Sequence, residues 1–245
     1  MRRLKFIIFL SIVFTLECAG PQVKIKPSIL PEEYAKLTWQ EKLDFFESLK
    51  AKKNLNASLE IYTLAFRDSV PAVVIAAINS LSTEQVAEYK EALYQLLKYK
   101  NPVVRWNACE KIVANPVDAD LVYLATVFSD RDWMVRQCSI SSVRNYSNEK
   151  SEKKYYFNMI FYLSEVNAQV LQEVYKTLKW YNDERTFNYM YNRMYHASNS
   201  VELIIIMREL IEYKNPLVKQ RIGYLSNHHR DFFVREEAKR LLDGM

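Results

Sequence analysis

A valine at the head of a short apolar stripe recurs six times along this chain, and the clearest copy runs from Asn101 to Ile112. Val104, Ala108 and Ile112 lie one helical turn apart, so they share one face of a helix that Pro102 opens where its missing N–H costs nothing. The frame returns as Val73, Ala77 and Leu81, then as Val135, Ser139 and Val143, as Val170, Val174 and Leu178, and as Val234, Ala238 and Leu242. Val201 and Ile205 begin the remaining copy, whose third place is Glu209, so its stripe is expected to rotate onto Ile206 and Leu210. Successive valines stand 31, 31, 35, 31 and 33 residues apart, the length of two short helices and two turns. One such pair cannot hide its apolar faces alone and needs the next pair to cover it. The period therefore predicts an all-α solenoid of about six stacked helix pairs.

Composition supports helices over a doubly wound sheet. Only Gly20, Gly223 and Gly244 occur among 245 residues, too few for the turns and phosphate-cradling loops of α/β folds. The formal charge of +5 falls to +3 once residues 1–17 are removed, and no basic stripe appears, which argues against a nucleic-acid partner.

Residues 1–17 read as a signal peptide. Arg2, Arg3 and Lys5 precede the apolar run Phe6 to Leu16, which as a helix rises only about 16 Å, roughly half the hydrocarbon thickness of a bilayer. Cys18 follows at once, and the segment resembles a bacterial lipoprotein signal, which is cut before a cysteine that then carries diacylglycerol. The resemblance implies lipidation at Cys18, attachment to a membrane, and an envelope location facing the periplasm or the cell exterior. Residues 18–31, with Pro21, Pro27 and Pro31, read as a tether. Residues 32–53 read as a helical cap, with Trp39 sealing the open end, and residues 54–245 as the solenoid.

Within the solenoid, first helices are expected at 55–67, 83–99, 118–128, 152–163, 184–195 and 217–225, each preceding a valine helix. Ser82 with Gln85 forms a capping box, and Asn101-Pro102, Asn115-Pro116 and Asn215-Pro216 mark turns. The valine copies carry an Asp or Asn, then Val-Arg, then Ala and Leu, with Arg105, Arg136 and Arg235 in the arginine place. On these residues the chain resembles HEAT and HEAT-like repeat proteins. That resemblance implies a superhelix whose inner helices line a concave surface used to hold partners. The three arginines are expected to pair between repeats with Asp68, Asp130, Asp132 or Asp231.

At 100° per residue, the places two, six and nine beyond each valine face away from the stripe. They bring Trp106, Glu110, Gln137, Arg144, Gln172, Lys176 and Met207 to the candidate partner-binding face, with Trp106 as the anchor. Tyrosines and methionines between 181 and 196 divide between core and an adaptable surface patch. Cys109 and Cys138 sit five and three residues after their valines, on helices about 10 Å apart, and are read as two buried thiols. No HExxH, paired CxxC, GxSxG or glycine-rich loop occurs, and no cofactor or metal is assigned. The sequence thus leads to a non-enzymatic envelope scaffold that holds a protein or peptide. The alternative is a lyase or maturation factor like the HEAT-like bilin lyases, acting on a modified or chromophore-bearing protein.

Overall fold

The computed structural model describes residues 29–51, 57–146, 160 and 165–244. The signal segment, Cys18 and nearly all of the tether lie outside the described residues, as does the helix expected at 152–163 apart from buried, helical Ile160.

Among the described residues there are fourteen α-helices and no strand. They are α1 (Pro31–Ala35), α2 (Trp39–Ala51), α3 (Leu59–Phe66), α4 (Pro71–Ser80), α5 (Thr83–Glu88), α6 (Lys90–Leu96) and α7 (Pro102–Val113). After them come α8 (Asp120–Ala125), α9 (Trp133–Ser142), α10 (Ala168–Tyr181), α11 (Glu184–His196), α12 (Ser200–Ile211), α13 (Pro216–His228) and α14 (Phe232–Asp243). A 3₁₀ turn, Val143–Asn145, continues α9.

The second helix of each pair stacks on the second helix of the next, in the order α2, α4, α7, α9, α10, α12, α14. First helices α3, α6, α8, α11 and α13 pack against this inner layer, and the core lies between the two layers. The architecture is an all-α solenoid. Val73, Val104, Val135, Val170 and Val234 are all fully buried, as the stripe requires. Because α2 packs on α4 as α4 does on α7, residues 32–53 contribute an inner helix of their own. Tyr34, Phe45, Phe46 and Tyr62 close that end with edge-on and tilted rings, while Trp39 stays half exposed.

Helix starts are set by short polar caps. The side chains of Asn101, Asp132, Asn167, Asn199, Asn215 and Asp231 each accept a backbone N–H of the first turn they open. In α7, α9, α10 and α14 the key valine sits three residues after its cap. The same rule corrects only the head of the copy at Val201: three residues after Asn199 stands Glu202, and Val201 is half exposed, while the stripe does rotate onto Ile206 and Leu210. Glu202, Ile206 and Leu210 form that stripe, all buried.

Two further expectations are corrected. The helix expected over 83–99 breaks at Tyr89, whose ring packs on Tyr62 and Phe66, while Lys90 turns inward to donate to Asp120 and to the Ile112 carbonyl. Cys109 and Cys138 are joined in a disulfide, not left as thiols, because α7 and α9 bring their Cα atoms to 6.4 Å, within bridging range.

Candidate functional site

The inner layer has two different surfaces. From α9 to α14 ion pairs run from each inner helix to the next. Arg144 donates to the Glu173 carboxylate at 2.5 Å and to Thr177 Oγ1 at 2.6 Å. Lys179 of α10 pairs with Glu209 and Glu212, and Arg208 of α12 with Glu237 of α14 at 2.8 Å. Glu237 also accepts from Arg240, and these two arginines hold its carboxyl well down, to about 2.

Between α2 and α4 the surface is open instead. A groove of about 740 Å³ runs between α2 and α4, with Leu43, Phe46, Ala72, Ile75 and Ala76 as its apolar part and Glu47, Lys50 and Asn79 as its polar part. Two alanines on α4 leave the gap that bulkier residues would fill. Among the described residues, neither the Lys50 amine nor the Lys111 amine of α7 has a hydrogen-bond or ion-pair partner. Lys111 is partly buried, and that burial, aided by the positive charge of Lys50, pushes its amine below the usual lysine range. An amine so placed is more readily unprotonated at neutral pH, the form that takes up a proton or attacks a carbonyl.

The residues expected to bind a partner are scattered by this arrangement. Met207 is corrected: it is fully buried, because the α12 stripe starts at Glu202 and turns Met207 into the core. Trp106 is also corrected, since it packs partly buried against the core and is not an exposed anchor. Arg144 belongs to the ion-pair ladder, and Lys176 lies 3.4 Å from Glu173. Glu110 and Gln172 are exposed and Gln137 partly so, and none of the three lines the α2–α4 groove. The groove's Ile75 and Asn79 occupy the places two and six beyond Val73, so the facing rule holds there in a copy for which no site residue was named.

The arginine place is structural. Arg105 forks onto Asp130 at 2.6 and 2.8 Å and also donates to the Tyr99 carbonyl, and Arg136 forks onto Glu165 at 2.6 and 3.1 Å. Asp132 and Asp231 serve as caps instead, and Asp68 pairs with Lys42. Arg235 donates to the carbonyls of His229 and Arg230. Among the described residues there is no group of three or more His, Cys, Asp or Glu side chains placed to hold a metal. No described helix is long and apolar enough to cross a membrane.

No family profile matches the chain, and no curated protein matches it. Among solved structures it is similar to human deoxyhypusine hydroxylase in complex with glycerol, over 87% of this chain and 96% of that chain, at 14% identity and a TM-score of 0.40. That neighbour's name is that of an enzyme, and the expectation of a non-enzymatic envelope scaffold finds no support in it. The fold of the described residues is all-α, a solenoid of stacked helix pairs.

Proposed function

We propose that the chain is a HEAT-like maturation factor that acts on a modified or chromophore-bearing protein, whose modified group enters the groove between α2 and α4. The groove carries this reading. Its volume of about 740 Å³ falls in the range of small-molecule sites, and its apolar lining with a few polar groups at one end is the usual make-up of such sites. Lys50 in the groove and Lys111 on the neighbouring α7 add two amines with no ion-pair partner among the described residues, the second pushed below the usual lysine range by burial, a direction that favours proton transfer or carbonyl chemistry.

We place this work in a bacterial envelope, with the chain held to a membrane through lipid at Cys18. The signal-like residues 1–17 and the cysteine that follows support that placement, and so does the Cys109–Cys138 disulfide, since disulfides persist in oxidising compartments.

The test is intact-mass spectrometry of envelope proteins from cells with and without the protein, beside cells carrying Ile75→Trp, which fills the groove. A client whose mass or colour changes in both altered strains supports the reading. A client pool identical in all three strains overturns it.

A further inference from the structure

A second cavity, of about 190 Å³, lies far along the stack where the end of α11, the turn before α12, α13 and the turn before α14 meet. Arg221 of α13 lines it, with His229 and Arg230 beside it. Arg105, Arg136, Arg144 and Arg208 each have a carboxylate partner, as does Arg193 of α11 with Glu202, and Arg235 is held by two carbonyls. Arg221 has no carboxylate partner among the described residues. Its guanidinium lies over the Tyr195 ring at 3.9 Å and reaches the Met194 carbonyl through Nη2 at 3.4 Å, while its Nε is buried without an acceptor. A guanidinium stays charged at any ordinary pH, and a buried donor left unsatisfied is costly.

The nearby carboxylates do not relieve it. Glu202 accepts from Tyr175 and Arg193 through one oxygen and from Ser198 N–H and Oγ through the other. Asp231 is taken by Ser200 Oγ and by the Phe233 N–H. His229 accepts the Asp231 N–H on Nδ1, which leaves the proton of a neutral ring on Nε2, a donor. The cavity is thus lined by Arg221, Arg230 and His229, with the neighbouring acids already engaged. Its volume equals about six liquid waters, enough for a tetrahedral oxyanion and an ester carbon.

We propose that this cavity binds a phosphate-class oxyanion, free or as the headgroup of a phospholipid, between Arg221, Arg230 and His229. The site is independent of the α2–α4 groove. Calorimetric titration of the full chain with inorganic phosphate, against chloride at equal ionic strength, tests it. Saturable binding is expected, weakened about tenfold or more in Arg221→Gln and in Arg230→Gln, and unchanged in the distant Arg105→Gln. Arg230 is exposed on a turn, so its variant keeps the test open if Arg221→Gln folds poorly. Flotation with phosphatidylcholine vesicles, with and without phosphatidic acid, separates the sources. Phosphate binding without flotation assigns a free oxyanion, whereas flotation that needs phosphatidic acid and Arg221 assigns the headgroup. Absence of both, or binding that survives both substitutions, overturns the proposal.

Discussion

Glu202 occupies a place where the other repeats bury valine, and it is tolerated because every oxygen it carries is satisfied. Burial alone pushes its carboxyl up, but the bonds from Tyr175, Arg193 and Ser198 outweigh that and hold it below the usual range. Restoring the apolar stripe with Glu202→Val is therefore expected to destabilise the fold by about 3 kcal/mol, since it strands the Tyr175 hydroxyl and the Arg193 charge. Urea unfolding measures this, and a variant as stable as the parent would show that the network contributes nothing. A plainer contrast sits on α7. Ala108→Glu places a carboxylate where Ala108 is fully buried and should unfold the middle of the stack, whereas Glu110→Ala, on the exposed side, should change stability by less than about 0.5 kcal/mol. Equal circular-dichroism melts for the two would mean that the helix faces otherwise. Lys111 gives a third reading at this scale. Its amine should be acylated at lower pH than that of an exposed lysine, and Lys50→Met should move half-labelling partway back up, because burial is the larger cause and remains. Labelling mapped by mass spectrometry across a pH series decides it.

At the scale of elements, much of the stack was legible because its period is written in residues that must be buried. Val104, Ala108 and Ile112 define a face whatever their neighbours do, and the same arithmetic places Ile75 and Asn79 in the groove. What was not legible depends on contacts between helices. The break at Tyr89 comes from rings on α3 and an acid on α8, and the groove comes from two alanines meeting a particular stretch of α2. The register of α12 did have a signal in the sequence, the Asn or Asp standing three residues before the stripes of α7, α9, α10 and α14, which Asn199 shares with Asn101 and Asn167. Glu237 ties α12 to α14, and its effect on stability has a definite sign. Its folded value of about 2 lies below the ordinary 4.5, so its contribution is present above pH 4.5 and fades as pH falls toward 2. Both arginines are exposed for more than half of their surface, so the contribution is small, under about 1 kcal/mol. Glu237→Gln should lower the melting temperature slightly at neutral pH and match the parent near pH 2. A difference that grows on acidification would contradict the pairing.

Across the whole molecule, stability in a stack of this kind is a sum over pairs and the interfaces between them, so the weakest interface decides whether the stack unfolds as one body. The Cys109–Cys138 bridge lies at the α7–α9 interface, between the open surface that carries the α2–α4 groove and the ion-paired surface that runs from α9 to α14. It closes a loop across a separation of 29 residues, which in the chain-entropy account stabilises the folded state by about 3–4 kcal/mol. Removing it weakens one interface and leaves the others intact. Reduction is therefore expected to lower the melting temperature and to split a single transition into two, with amides of α7 and α9 exchanging before those of α12 and α14. Cys138→Ser should reproduce that behaviour without reductant. Hydrogen exchange followed by mass spectrometry, with and without reductant, locates the change. Were the reduced protein to melt in one step at the original temperature, the seam between the two surfaces would be held by apolar packing of Ala108, Ile112, Val135 and Ile140 alone, and the bridge would have no part in coupling them.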